Sequence, residues 1–190
     1  MAVHASGQFR RWGGGISIRA LDHQFYKEQL FQAAAAISVN KIRIGGRIGY
    51  GLVDISNYGH TQTMMLDIGV ASVLTETLHW GVCIQNAGFA KLGPDGEPLP
   101  QRLQVGFCLD FDTLIFAAEL NKETDFEVDY ALGAMFQPFH LLSLRVGVGT
   151  VPSRLAAGFT LHLFKVDFDY AYVTTAGLAA MHQFAVQFNF

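Results

Sequence analysis

The chain has 190 residues, of which 51% are hydrophobic and 15% are charged, and its formal net charge is −3. It contains no run of about 18 apolar residues, which excludes a transmembrane helix, and it has no basic patch that would favour nucleic acid as a partner. A strongly apolar chain without such a run must spread its apolar residues by alternation, which is the pattern of β-strands.

Alternation of apolar and polar residues, interrupted by clusters of Gly, Pro, Asn and Asp, predicts about twelve strands. Residues 1–12 are expected to form an N-terminal tail or the lead-in to the first strand. An alanine run at 33–36 is assigned to a strand, because its apolar flanks continue the strand phase. The predicted strands are 9–21, 29–39, 42–53, 61–73, 78–86, 101–110, 113–121, 126–136, 140–149, 154–163, 165–174 and 180–190.

The predicted connections alternate between short and long. The short ones are 40–41, 74–77, 111–112, 137–139 and 164, and the longer ones are 22–28, 54–60, 87–100, 121–125 and 175–179, with 150–153 as a short exception. Short turns on one rim and longer loops on the other are typical of outer-membrane barrels. The sequence therefore predicts one domain over residues 1–190, an all-β, antiparallel, transmembrane up-and-down β-barrel of about twelve strands.

One face of the predicted strands is apolar, and the other carries arginines, aspartates, glutamines and many glycines. A shift of one residue would turn Arg43, Arg47 and Arg145 toward lipid, at a cost of about 2–4 kcal/mol for each charge at the bilayer midplane. A soluble β domain would show the same alternation turned inside out. All five lysines, however, lie in turns, loops or strand ends, which is unusual for strands that face water.

The final strand ends on an aromatic residue and places Phe184, Val186, Phe188 and Phe190 on one face. Bacterial outer-membrane barrels typically finish this way, and their insertion machinery reads this last strand. We therefore expect the chain to lie in a bacterial outer membrane, with membrane lipid and the insertion machinery as partners. No apolar segment typical of a signal peptide precedes the strands, so we expect a mature or cloned start, or an incomplete N-terminus.

Charged side chains recur on the polar face, which would line the lumen. This set could hold a plug or guide a polar solute; alternatively, it is a mesh of salt bridges that fills a narrow lumen, which is the interpretation we favour. Its predicted members are Arg43, Arg47, Asp67, Arg145, His162, Asp167 and Asp169.

Other residues give weaker indications of chemistry. Glu119, Glu127 and Asp129 form an acidic patch without the ligand spacing of a calcium site. Cys83 and Cys108 could form a cross-strand disulfide, but free thiols are the simpler expectation. No serine or cysteine nucleophile with a partner base is recognisable. We therefore expect no enzyme activity, no metal and no cofactor.

Four stretches resemble a known family. They are Gln-Asn-Ala-Gly at 85–88, the prolines at 98–100 with the strand at 103–106, Asp-Phe-Asp-Tyr-Ala-Tyr at 167–172, and the segment that begins at His182. Together they resemble the PorV/PorQ group of outer-membrane proteins, relatives of the FadL-like barrels that transport long-chain fatty acids. The resemblance implies a non-enzymatic role linked to type IX secretion, with secretion-system proteins as partners.

The same resemblance leaves two alternatives open. One is a FadL-like transporter of hydrophobic small molecules, and the other is a structural barrel with a filled lumen. Members of the group begin with a plug and the first strands of a fourteen-stranded barrel. The present chain is therefore expected either to close with about twelve strands or to be an N-terminally truncated fourteen-stranded barrel.

Overall fold

The structure, a computed structural model, describes residues 2–56, 59–93 and 96–188. In these residues all regular elements are β-strands, and thirteen of them follow one another in chain order in one antiparallel sheet. No helix in the described residues is long and apolar enough to cross a membrane. The strands are β1 Ala2–Phe9, β2 Trp12–His23, β3 Tyr26–Val39, β4 Ile42–Ile55, β5 Gly59–Val73, β6 Leu78–Gln85, β7 Arg102–Asp110, β8 Leu114–Glu123, β9 Asp129–Phe139, β10 Leu142–Thr150, β11 Ser153–Leu163, β12 Val166–Thr175 and β13 Met181–Phe188. The predicted all-β, antiparallel, up-and-down class is confirmed.

The strand added to the predicted set is β1, which lies in the segment 1–12 that the sequence analysis treated as a tail or lead-in. It pairs with β2 along its whole length, from Ala2 opposite Arg19 to Phe9 opposite Trp12. The alternation is present in β1 but faint, because Ala5 and Gly7 occupy apolar-face positions and contribute little apolar signal. Hydrophobic periodicity therefore did not predict β1, whereas its backbone pairing with β2 defines it.

The predicted long loop at 22–28 is wrong, because β2 and β3 are joined by a turn of only two residues, 24–25. The charged residues of this region pair across the two strands. The Lys27 ammonium lies 3.8 Å from the Asp22 carboxylate, and the Arg19 guanidinium lies 3.6 Å from that of Glu28. Strands β2 and β3 therefore extend further toward this turn than hydrophobic periodicity alone indicates.

The lengths of the connections keep the predicted alternation in part. Those after β1, β3, β5, β7, β9 and β11 span two to four residues. The longest connection, 86–101, follows β6 and agrees with the predicted loop at 87–100. Asn40 adopts a φ of 55° in the turn after β3, a left-handed conformation that asparagine tolerates better than most residues.

The chain divides into two compact units. Unit 1 comprises Met1–Ser72, Gly81–Gln104 and Glu123–Asp125, and therefore holds β1 to β4 and most of β5. Unit 2 comprises Val73–Trp80, Val105–Lys122 and Phe126–Phe190, and holds β8 apart from its last residue together with β9 to β13.

Within each unit the apolar side chains of one face are exposed. In unit 1, Ile16, Ile48 and Met64 are 62%, 56% and 72% exposed; in unit 2, Leu132 and Val146 are 60% and 59% exposed. Leu30 is the one apolar side chain among the described residues that counts as buried. A water-soluble β domain would bury such a face, because each buried aliphatic side chain gains about 1.5–3 kcal/mol. The exposed face is therefore the one suited to lipid.

Candidate functional site

On the polar face of unit 1, Arg47 of β4 and Asp67 of β5 form an ion pair. The two residues lie directly opposite each other in the antiparallel ladder. The Arg47 Nε and Nη2 atoms donate to Asp67 Oδ2 at 2.6 and 2.5 Å, and the Asp67 side chain is only 13% exposed. Because both nitrogens contact the same oxygen, the second carboxylate oxygen, Oδ1, stays available for another hydrogen bond.

Asp67 also anchors the connection 86–101. Its second oxygen, Oδ1, accepts the backbone N–H of Asn86 at 2.8 Å. The Asn86 side chain then closes the base of the connection, since Nδ2 donates to Leu99 O at 2.8 Å and Oδ1 accepts Ala90 N–H at 2.7 Å. Asn86 is 4% exposed, so these bonds satisfy polar atoms that water cannot reach.

The same connection runs beside the first half of β5. The Ala87 and Gly93 N–H groups donate to the backbone carbonyls of Leu66 and Gln62, at 2.7 and 3.2 Å. The connection also forms a small hairpin, in which Lys91 bridges to Pro98. These bonds occupy backbone acceptors on β5 that would otherwise remain open at a strand edge.

On the polar face of unit 2, Arg145 of β10 links two further strands. Its Nη2 donates to Thr160 Oγ1 of β11 and to Asp169 Oδ1 of β12, both at 2.5 Å. The Thr160 hydroxyl in turn donates to Asp169 Oδ1 at 2.5 Å. The guanidinium charge is thus compensated within this network, so it is not an open anion site.

Next to this network, Ser143, His162 and Asp167 form a linear chain of hydrogen bonds. Ser143 Oγ lies 3.0 Å from His162 Nε2, and His162 Nδ1 lies 2.9 Å from Asp167 Oδ1. Ser143 is 4% exposed. The register fixes the arrangement, since His162 is directly opposite Asp167, and Ser143 is directly opposite Thr160.

A depression of about 830 Å³ adjoins the Arg145–Asp169 pair in unit 2. Small residues on the polar faces of β10 to β13 supply much of its lining, and Gln183 adds an amide. Small side chains leave this space open, while charged groups border it. The small polar-face residues are Gly147, Ala156, Gly158, Ala171 and Ala185.

The predicted lumen charges fall into three separate contacts and one outlier. Arg47 contacts Asp67, Arg145 contacts Asp169, and His162 contacts Asp167. Arg43 lies apart from these pairs, and its Nε donates to Ser38 Oγ at 3.2 Å.

The last strand places Phe184, Val186 and Phe188 on its apolar face, where they are 79%, 54% and 62% exposed. Phe190, the fourth residue predicted for the targeting strand, lies outside the described residues.

The residues with weaker indications also have defined surroundings. Cys83 and Cys108 are both free thiols. Asp129, from the predicted acidic patch, pairs with Arg154 at 2.5 Å, and Glu119 accepts from the Asn121 side chain at 2.6 Å. Within the described ranges, no three His, Cys, Asp or Glu side chains converge as a metal site would require.

Sequence reasoning did not single out Ser143, Thr160 or Asn86. The first two were detectable only through register, because a serine or threonine on a polar strand face is ordinary until its cross-strand neighbours are known. Asn86 was noted as part of a family-like stretch, but its role as a clamp on a connection depends on contacts made by residues distant in sequence.

Comparison with known proteins gives a likeness at the level of fold. No protein-family model matches the chain, and neither does any curated protein. The solved structure of the toluene transporter TbuX of Ralstonia pickettii matches with a TM-score of 0.71 and 13% identity, over 100% of this chain and 80% of that one. The toluene transporter TodX of Pseudomonas putida matches with a TM-score of 0.61 and 10% identity, over 90% of this chain and 76% of that one. The chain therefore shares the fold of these two solved transporters.

Proposed function

We propose that this protein is a bacterial outer-membrane barrel through which a small hydrophobic solute passes. The observation that carries the proposal is the agreement of the whole chain with the fold of a solved toluene transporter, at a TM-score of 0.71. Of the alternatives that the sequence left open, this one gains the most support, since both solved neighbours are described as toluene transporters.

The apolar face supports residence in a membrane. Side chains such as Ile44 and Leu155 are 55% and 54% exposed, and each would remain in contact with water in a soluble protein. Transferring apolar surface from water to lipid gains about 25 cal/mol per Å². Membrane lipid is accordingly the proposed partner of this face, and the barrel insertion machinery is the proposed partner of β13.

The polar face supports a path for an apolar solute rather than for an ion. Its arginines Arg47 and Arg145 already pair with aspartates, so a passing solute meets compensated charges. The depression in unit 2 offers glycine and alanine surfaces, which make few demands for hydrogen bonds. A monoaromatic hydrocarbon fits this chemistry.

A matched pair of substitutions on β11 tests the path. Ala156 lines the depression from the polar face, whereas its neighbour Leu155 belongs to the opposite, exposed face and is not among the lining residues. We expect Ala156→Trp to reduce uptake of radiolabelled toluene by cells of a Gram-negative host about tenfold, because the indole narrows the space. Leu155→Trp should transport like the parent protein. Equal uptake by the two variants and by cells lacking the protein would contradict the proposal.

Residence in the outer membrane has its own test. The protein should fractionate with the outer membrane and show heat-modifiable migration in detergent gels, since folded barrels resist unfolding in the cold sample. A monomer that stays soluble without detergent would contradict the assignment.

A secretion-linked role of the PorV/PorQ type is the second candidate. It rests on the family-like sequence stretches and on the connection 86–101, where Phe89 is 69% exposed and could contact another protein. We expect secretion-system proteins to co-purify with the parent chain and to be lost when Phe89 is replaced by serine. Normal cargo export after deletion of the gene would exclude this role. A structural barrel with a filled lumen would instead show neither uptake nor channel current.

A further inference from the structure

Three side chains in unit 2 form a serine–histidine–aspartate chain of hydrogen bonds, which is the arrangement that activates a serine hydroxyl. Ser143 Oγ contacts His162 Nε2 at 3.0 Å, and Asp167 Oδ1 contacts the other ring nitrogen, Nδ1, at 2.9 Å. An ionised carboxylate only accepts hydrogen bonds, so the Asp167 contact places the proton on Nδ1. His162 Nε2 is then the acceptor for the Ser143 hydroxyl proton, which is the arrangement of a nucleophile, a general base and an orienting carboxylate.

The three residues are held by regular strands rather than by loops. Ser143 lies on β10, His162 on β11 and Asp167 on β12, and the ladders between these strands are continuous around them. The His162 and Asp167 side chains are 34% and 18% exposed, so both are confined by neighbours. Groups fixed on strands keep their geometry better than groups on loops, which is what a reactive constellation needs.

We propose that Ser143 is the nucleophile of a hydrolytic site for carboxylic esters with a short acyl group. Ser143 Oγ attacks the ester carbonyl carbon while His162 Nε2 takes the hydroxyl proton. The carbon–oxygen bond to the alcohol then breaks, and His162 returns the proton to the departing alcohol. Water, activated by His162 in the same way, attacks the acyl-serine and releases the carboxylic acid and free Ser143. Asp167 is a positioning residue that holds the histidine tautomer.

Arg145 lies two residues from Ser143 on the same face, and its Nη2 reaches the hydroxyl of Thr160, the residue directly opposite Ser143. Directly opposite residues have Cβ atoms about 4.5–5.5 Å apart, which brings the guanidinium into the neighbourhood of Ser143. Because the guanidinium is paired with Asp169, it orders the polar groups around Ser143 and is not itself an open anion site.

The surroundings limit the substrate. Ser143 is 4% exposed, so only a short acyl group can bring its carbonyl to Oγ. The depression of about 830 Å³ is lined by Arg145 and not by Ser143 itself, so the alcohol portion would lie beyond Arg145, where the glycine and alanine lining suits an apolar or aromatic group. An aryl acetate combines both properties. This proposal departs from the expectation, based on sequence alone, that the chain is not an enzyme.

The test uses the full chain, folded in detergent, with a fluorophosphonate probe and with p-nitrophenyl acetate. We expect mass spectrometry to map the probe to Ser143, and Ser143→Ala to lose both labelling and ester hydrolysis. The matched control is Ser17→Ala, because Ser17 also lies on a polar strand face but bonds to the Gln32 amide at 3.1 Å instead of a histidine. Ser17→Ala should label and hydrolyse like the parent chain.

The proposed positioning role of Asp167 can be distinguished from a purely structural role by the pH dependence of the labelling rate. Asp167→Asn should lower the labelling rate at neutral pH by 10²-fold or more and change its pH profile, because the preferred histidine tautomer is lost. Heat-modifiable migration confirms that each variant is folded, and Ser143→Cys serves as a second, near-isosteric variant that keeps a nucleophile. Absence of label on Ser143 in the folded parent chain, or equal labelling of the parent and His162→Gln, would show that the three residues only fill space. Because toluene uptake is not used, failure of the transport proposal leaves this test unaffected.

Discussion

Asp67 in unit 1 and Asp129 in unit 2 each pair with an arginine and accept backbone N–H groups, but the connections that they hold differ greatly in length. Each carboxylate side chain is 13% exposed and gives one oxygen, Oδ2, to an arginine at 2.5 Å, namely Arg47 and Arg154. The other oxygen, Oδ1, accepts backbone N–H groups within a connection or at the strand end beside it. Asp67 accepts one such group, Asn86 N–H at 2.8 Å, whereas Asp129 accepts those of Thr150 and Val151 at 3.1 and 3.0 Å.

The two aspartates differ in the length of the connection that each one holds. Asp129 joins the start of β9 to the two-residue turn between β10 and β11, so its bonds belong to a small, regular part of the sheet. Asp67 holds only the first residue of the long connection 86–101, and Asn86 must hold the rest. A carboxylate can thus stabilise a whole tight turn, but it can only anchor one end of a long loop.

The largest expected effect is on Asp129. Asp129→Ala removes the acceptor from two backbone N–H groups and leaves Arg154 without its carboxylate, and we expect the free energy of unfolding to fall by about 2–4 kcal/mol. Urea unfolding of the chain in lipid vesicles measures this change. Asp125→Ala, which alters an exposed aspartate of the preceding connection, is the control and should leave the midpoint unchanged.

A smaller effect is expected from Asp67→Ala. It removes one backbone bond and the Arg47 pair, and since the Arg47 side chain is 41% exposed, water can compensate part of its charge. We expect a loss of about 1–3 kcal/mol, together with faster tryptic cleavage after Lys91. Asp22→Ala breaks the exposed pair with Lys27 and should change neither measurement. A loss equal to that of Asp129→Ala would mean that the number of backbone bonds does not set the difference.

Much of the fold could be predicted from sequence because strand alternation is a local signal. The alanine run at 33–36 was assigned correctly to β3, since Phe31 and Ile37 continued its phase. β1 and the ends of β2 and β3 were less predictable. Small residues weakened the alternation in β1, and the pairing of Asp22 with Lys27 across β2 and β3 follows only from the cross-strand register.

The contacts of the polar face were predictable as a set but not as pairs. Alternation places Arg145, His162 and Asp169 on one face, whereas only the register shows that Arg145 reaches Asp169 and that His162 reaches Asp167. Ser143 is the clearest example of a contact that the sequence does not predict, because its hydrogen bond is to a histidine on the next strand. Pair identity is a property of the fold rather than of the local sequence.

Asn86→Ala is expected to have the smallest effect on the free energy of unfolding. It separates the anchoring of the connection 86–101 by Asp67 from the internal hydrogen bonds of that connection. The change keeps the backbone N–H that Asp67 accepts but removes the bonds to Leu99 O and Ala90 N–H. The sheet contacts of Asp67 survive, so the urea midpoint should move little, whereas cleavage after Lys91 should rise about tenfold through local opening of the connection. Asn86→Asp is the matched variant: its carboxylate still accepts Ala90 N–H but sets a charged oxygen against Leu99 O in a buried site, so cleavage after Lys91 should rise at least as much as in Asn86→Ala. If Asn86→Ala instead lowered the unfolding midpoint as much as Asp67→Ala, the connection 86–101 would be part of the stable sheet, and the contrast with the Asp129 turn would be one of length alone.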